Sequence, residues 1–471
     1  MAHRWDAVAT AAAIADGEVS IRAVVEEAIA RIEKLNGELN AVIHTRFDEA
    51  LAEVDAGLPD GPLRGVPVLV KDLGTEVTGL PHTGGSRLFA DGVATRDSEL
   101  VRRYRRAGMV VLGTTNTAEL GLNASTEPTL GGPTRNPWHR AYSPGGSSGG
   151  SAAAVSAGMV PVAHASDGGG SIRIPSAACG LFGLKPSRGR VSPAPRPSTL
   201  SGLVSGHHAV ARTVRDSALL LDIAAGPLPG DAYAAPTPAD SFAALARRDP
   251  GRLRIGLITS LPGGPAVHPD PERAVLAAAR LCESLGHEVT EITAPYRPEE
   301  VGHTSGVLMG GDLVARIDAR LAQLGRPLAD DDVEPFTRVL YEHYRSLTGA
   351  DVSRALSRVQ EIGWQVGAAF TAYDVLLSPT LARPTPRLGT LDTRRPETVY
   401  EHASVCSAFT SVHNVTGMPA MSVPFGRDGE GLPLGVQFAA GLGGEGLLLA
   451  LATRLEQAAP WELNAPLDAS D

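Results

Sequence analysis

Residues 65–72 read GVPVLVKD and residues 98–112 read SELVRRYRRAGMVVL. The first is a short apolar run ending on a charge, the pattern of a strand buried on both faces. In the second, Ser98 is placed to cap a helix over Ser98–Ala107, Gly108 to end it, and Met109–Leu112 to form the next strand. Strand, helix, strand in this order predicts a layered α/β sheet. Towards the N-terminus, Ser20–Asn36 predicts a helix capped by Ser20, with Ile21, Val24, Val25, Ala28, Ile29, Ile32 and Leu35 at helical spacing. Further on, LRIGLITS, a helix over Asp270–Gly286 and HEVTEIT make another such unit. Residues 311–372 read as mostly helical, VLLSPT, AMSVPFG and LGVQFAA as strands, and Gly446–Ala458 as a closing helix. Proline-rich stretches at Ser192–Ser198 and Gly226–Asp240 separate the front half from the rest, but no repeat divides the chain. The expectation is one large α/β domain over 1–471, its core at about 60–225 and 373–460 and a helical segment at about 240–370.

A hydrophobic fraction of 43% with 20% charged residues leaves room for a sizeable core. The formal net charge of -10 and the lack of a long Lys/Arg run exclude a phosphate-tracking surface, and Arg102–Arg106 (RRYRR) reads as the solvated face of a short helix. No nucleic-acid partner is expected. The cysteines, Cys179, Cys282 and Cys406, are far apart and set in apolar runs, which builds neither a disulfide framework nor a CxxC metal pair and fits a reducing cytoplasm. The N-terminus carries Asp6, Asp16 and Glu18 without a signal layout, and no run of about 18 apolar residues predicts a membrane span.

Lysine usage is sharper. Lysine occurs only at Lys34, Lys71 and Lys185, against 39 arginines. A surviving lysine can mark a place where arginine, which keeps its proton near neutral pH, cannot serve. Lys34 sits in an amphipathic helix and reads as a chance survivor; Lys71 ends an apolar strand, so its stem should be buried.

Residues 131–205 are rich in Gly, Ser and Pro, as functional loops on a rigid sheet usually are. Two segments stand out, Gly145–Ser151 (GGSSGGS) and Asp167–Ser176 (DGGGSIRIPS). Neither is followed by Gly-Lys-Ser/Thr, and neither forms GxGxxG between a strand and a helix, so phosphate cradling is not indicated. They offer instead two serines beside unhindered backbone. Three glycines before Ser171 leave N–H groups free to converge as an oxyanion hole requires, and Ser171 stands at the start of a short helical stretch. Taken alone, each segment could equally be a tight turn. A serine hydroxyl needs a base. His164 (VAHASD) lies close in sequence but on an apolar strand, where packing is the plainer reading. A lysine can serve through an intermediate hydroxyl if burial lowers its pKa from about 10.4 towards 7, a cost of roughly 4 kcal/mol.

Val68–Asp72 (VLVKD), GGSSGGS and Asp167–Lys185 (DGGGSIRIPSAACGLFGLK) together resemble the amidase signature family. The resemblance runs nearly end to end, through TNTAELG at 115–121, GPTRNPW at 132–138, GLPLGVQFAA and LEQAAPW. The 24 residues from Ser147 to Ser171 match the family's spacing. The resemblance implies a central mixed β-sheet covered by helices on both faces. It implies that Ser171 is the acyl-forming nucleophile, Ser147 the bridging serine and Lys71 the base, with the Gly146–Ser147 peptide cis. The backbone at Gly168, Gly169, Gly170 and Ser171 would hold the tetrahedral oxyanion, while Asp167 and Arg173 would brace the loop. Ser148 and Ser151 read as helix capping or loop packing. The implied reaction is hydrolysis of a carboxylic amide through an acyl-enzyme, with no metal or organic cofactor and a small-molecule amide as the partner; self-association as a homodimer stays open.

Within the family, LGRPLADDDVE (324–334), SPTLARPTPRLG and the terminal AAPW are most similar to hydrolases of 6-aminohexanoate cyclic dimer and related general amidases. The first rival is the glutaminase subunit of tRNA-dependent amidotransferase. Such subunits usually carry Gln after the arginine of the nucleophile loop, where this chain has Ile174, and Met418 stands where related amidases commonly place Gln. A rival of another class, a non-catalytic binding protein on the same scaffold, would be expected to lack Lys71, Ser147 or Ser171.

Overall fold

The computed structural model describes residues 5–197 and 200–467; the first four residues and Ser198, both included in the readings above, lie outside it. Eleven strands form one sheet: β1 Val42–Thr45, β2 Pro67–Lys71, β3 Val110–Thr115, β4 Val162–Asp167, β5 Phe182–Lys185, β6 Gly206–Ala211, β7 Arg254–Leu257, β8 Glu288–Glu291, β9 Val375–Pro379, β10 Ala420–Arg427 and β11 Pro433–Ala439. Their order is β1-β3-β2-β4-β6-β5-β10-β11-β9-β7-β8. β2 runs parallel to both β3 and β4, and β7 parallel to β8 and β9, while the remaining pairs are antiparallel. The sheet is therefore mixed.

All five residues of β2 are buried, as an unbroken apolar run in a central strand requires. Val68 and Val70 pack into a core on one face with Tyr104, Leu220 and Leu448. Leu69 packs on the other with Val25, Ile32 and Val155. Helices thus cover both faces. The strands β7 and β8 lie within the segment read as helical at about 240–370 and extend the sheet at one edge, while Pro298–Leu324, Pro335–Tyr344 and Gly349–Ala372 supply its helices.

Local signals differ from expectation at a few points. The first long helix runs Ile21–Leu39, three residues beyond Asn36, because Asn40 takes the left-handed conformation that ends it; Ser20 caps it by accepting from the Ala23 N–H. Ser98 precedes the helix Glu99–Arg106 but does not cap it, since its Oγ accepts from the Glu76 N–H at 2.7 Å. The RRYRR face is only partly solvated. Tyr104 is fully buried, and Arg102, Arg103 and Arg106 converge on the buried Glu99 carboxylate. Among the described residues, no helix is long and apolar enough to cross a membrane.

Candidate active site

β2 and β4 are adjacent and parallel, so Lys71 and Asp167, each the last residue of its strand, leave the sheet at the same edge. Open α/β sheets place ligands beyond the carboxyl ends of their strands. The loop Gly168–Ser171 follows β4 there, and Ser147 precedes the helix Gly149–Ser156. Lys71 Nζ lies 2.7 Å from Ser147 Oγ and 3.1 Å from Ser166 Oγ. Lys71 is fully buried and forms no ion pair among the described residues; its neighbour Asp72 is turned to Thr83 instead. Burial pulls the lysine pKa down to about 7, against a weaker upward pull from the Asp167 charge.

Lys185 is equally buried, and burial together with the Arg173 charge also lowers its pKa to about 7. Its Nζ donates to the Pro186 carbonyl at 2.8 Å, and no serine hydroxyl meets it among the described residues. A displaced pKa therefore does not separate the two lysines. Contact with Ser147 does.

The peptide Gly146–Ser147 is cis. The turn is packed so closely that a Cβ on Gly146 would sit 2.7 Å from Ser125 N. Thr126 Oγ1 donates to Gly145 O at 3.0 Å and accepts from Gly149 N–H at 3.0 Å, bracing the turn from outside. Ser148 stands at the N-terminus of the following helix without capping it, and its Oγ donates to Ser166 O at 3.2 Å. Ser151 Oγ donates to His164 O at 2.7 Å, which is loop and strand packing.

Around Ser171 the loop is held by a buried ion pair. The Arg173 guanidinium meets the Asp167 carboxylate twice, at 2.9 Å each, and donates to Thr410 O, Gln437 Oε1 and Asn414 Oδ1 at 2.7–2.8 Å. Burial alone would raise the Asp167 pKa, but Arg173, Lys185 and Asn414 hold it well below the usual carboxylate range. The same carboxylate accepts the Gly170 N–H at 2.7 Å and the Ile172 N–H at 3.2 Å. This corrects one expectation: Gly170 cannot offer its N–H to an oxyanion, because the bracing carboxylate already takes it. The N–H groups of Gly168, Gly169 and Ser171 have no acceptor among the described residues. Ser171 lies two residues before the helix Arg173–Cys179, whose first flanking residue is Ile172.

Ser147, Ser166, Gly168 and Ser171 share the wall of a cavity of about 410 Å³. Apolar side chains of Leu73, Leu120, Leu122, Val191, Met309 and Leu313 line much of the remainder, with Arg196, His207 and Arg316 among its polar groups. Ile174 and Met418 lie in apolar clusters instead, Met418 against the helix Gly349–Ala372. Among the described residues, no group of three or more His, Cys, Asp or Glu side chains is arranged to hold a metal ion.

Several contributors escape a reading of the sequence. Ser166 touches the lysine amine, and the only local signal is its place one residue before Asp167. His164 is fully buried, as packing requires, yet it also accepts the Lys71 backbone N–H on Nδ1 at 3.3 Å. Asn414 and Gln437 grip Arg173 from more than 200 residues away; a glutamine inside the apolar strand LGVQFAA was a visible anomaly without a visible partner.

Residues 23–449 match the Amidase family. The 6-aminohexanoate-cyclic-dimer hydrolase of Paenarthrobacter ureafaciens is 38% identical to this chain, over 98% of the chain and 96% of that protein. Among solved structures, a 6-aminohexanoate cyclic dimer hydrolase complexed with substrate superposes with a TM-score of 0.93 at 37% identity, covering 99% of this chain and 100% of the other. A bacterial aryl acylamidase superposes with a TM-score of 0.89 at 29% identity, covering 100% of this chain and 99% of the other.

Proposed function

This chain belongs to the amidase family, an amide C–N hydrolase by that membership, and on this premise we propose that it works through an acyl-Ser171 intermediate activated by Ser147 and Lys71. The observation that carries the proposal is the 2.7 Å contact between Lys71 Nζ and Ser147 Oγ on a cavity that Ser171 also lines. Lys71, neutral in its buried setting, accepts the Ser147 proton. Ser147 in turn accepts the proton of Ser171, whose Oγ attacks the amide carbon. A neutral amine has one lone pair and two N–H groups, so Lys71 can accept from Ser147 while donating to Ser166. The N–H groups of Gly168, Gly169 and Ser171 are the donors available to the developing oxyanion. The proton then passes back along the relay to the leaving amine. Water follows the same route to release the acid, so protons balance over the cycle.

The substrate is a largely apolar amide, which suits the leucine, valine and methionine lining beside the relay. A cyclic amide is favoured, on the likeness to hydrolases of 6-aminohexanoate cyclic dimer. Intact-mass detection of an acyl-enzyme across a panel of linear and cyclic amides tests both parts. An adduct on Ser171 with a cyclic amide is expected; turnover without any adduct trapped on Ser171 would reject the mechanism.

A further inference from the structure

Lys71 anchors a second chain of contacts that the relay does not use. Its backbone N–H donates to His164 Nδ1, and a ring nitrogen that accepts carries no hydrogen. Neutral His164 therefore holds its proton on Nε2. That nitrogen lies 3.2 Å from His207 Nδ1 and 3.2 Å from Thr75 Oγ1, and Thr75 Oγ1 lies 3.5 Å from His207 Nδ1. A proton on His207 Nδ1 would set two N–H groups facing each other across 3.2 Å. The arrangement free of that collision leaves Nδ1 of His207 as acceptor and its proton on Nε2. Burial, with the charges of Lys71 and Arg196, pulls the His207 pKa to about 4, so the ring is neutral near pH 7.

His207 stands opposite Ser166 in the β4–β6 ladder and lines the same cavity as the serines. Its Nε2 has no acceptor among the described residues. Gly74, at φ +79, makes room for the ring, since a Cβ there would lie 3.0 Å from His207 Cε1. The geometry points to His207 Nε2–H as a substrate-binding donor for a second sp² oxygen of the substrate, beyond the scissile carbonyl. That oxygen belongs to a second amide or to a carboxylate. An orphan N–H beside the reacting centre discriminates against substrates lacking the acceptor, because they leave it unpaired.

The inference rests on the acyl-Ser171 reading, which Ser171 labelling tests separately. Its own test compares kcat/KM for three amides of matched length: an apolar monoamide, the same chain with a second amide, and the same chain ending in a carboxylate. The wild type, His207→Phe and His207→Gln are each measured. His207→Phe should lose about 10-fold in kcat/KM on an oxygen-bearing substrate, mainly through KM, and less than about twofold on the monoamide. His207→Gln, which keeps an N–H donor, should recover part of the loss. The substrate that responds tells second amide from carboxylate. Equal losses on all three, or none on any, overturn the proposal, as does a shifted pH limb in His207→Phe, which would mark a role in supporting Lys71. If His207→Phe does not fold, structures of Ser171→Ala with the diamide and with the carboxylate-ended amide decide. The second carbonyl oxygen is expected within about 3.2 Å of His207 Nε2, and structures in which neither the diamide nor the carboxylate-ended amide puts its second oxygen there overturn the assignment.

Discussion

Lys71 Nζ and Ser147 Oγ stand 2.7 Å apart, in a site where burial has stripped the lysine of water and no carboxylate pairs with it among the described residues. An amine in that setting gives up its proton near neutral pH, and an arginine in the same place would not. If Lys71 is the base, Lys71→Arg should be nearly as damaging as Lys71→Ala, with each losing about 10²–10⁴-fold in turnover. Near-normal activity of Lys71→Arg would end the lysine-base reading.

The same contact sets a pH dependence. With Lys71 as the proposed base its neutral form is the active one, so the rate should rise as pH increases through about 7, the value to which burial lowers this lysine. That limb should vanish in Lys71→Ala and persist in His164→Ala. His164 already spends Nδ1 on the Lys71 N–H, so its loss should cost stability by about 1–3 kcal/mol rather than remove a base. A pH–rate profile of each variant checks this, and loss of the limb in His164→Ala would reassign the base.

Ser171→Ala should abolish hydrolysis while the fold survives, because only a hydroxyl at a half-buried turn is removed. A fluorophosphonate should label Ser171 in the wild type and nothing in the mutant. Labelling of another residue would displace Ser171 as nucleophile.

Asp167→Asn should destabilise the protein by about 3–5 kcal/mol, because it strips the buried Arg173 guanidinium of its charge partner. The Asp167 carboxylate is held below its unfolded value, so its contribution is present above pH about 4 and is lost as pH falls through the folded pKa. Denaturant unfolding at pH 7 measures the loss. A change under about 1 kcal/mol would show that the hydrogen bonds Arg173 donates to Thr410 O, Asn414 Oδ1 and Gln437 Oε1 hold the loop without the ion pair.

The isolated chain should hydrolyse a neutral cyclic or apolar amide without partner proteins and without charged tRNA. Assay of purified protein on such amides and on glutamine separates this from the glutaminase reading. Glutamine turnover that depends on copurifying partners would reverse it.

Much of this architecture lay open in the chain itself. The apolar run Gly65–Val70 marks β2 because a strand buried on both faces is apolar throughout, and the near-absence of lysine singles out Lys71 for a chemical reason. The serines stood out because glycine-rich backbone beside a hydroxyl is costly unless a turn or an anion site uses it. Local signals went astray where tertiary contacts compete with them. Ser98 had the composition of a cap, and the nearby Glu76 N–H took its oxygen first.

Which residues could do chemistry was therefore determined by the sequence, through side-chain type and local pattern. Which of them do meet was decided only by the tertiary structure. Lys71 and Lys185 are alike in burial and in lowered pKa, and the tertiary placement of the Ser147 turn puts it against Lys71, while Lys185 meets the backbone carbonyl of Pro186. Gly170 looks as free as its neighbours until Asp167 folds back onto its N–H. Arg173 is completed by Asn414 and Gln437, which the antiparallel insertion of β10 and β11 brings beside it. The physical reason is range: propensity and periodicity act over a few residues, whereas the hydrogen bond from Arg173 to Asn414, 241 residues apart, depends on how the whole sheet is ordered.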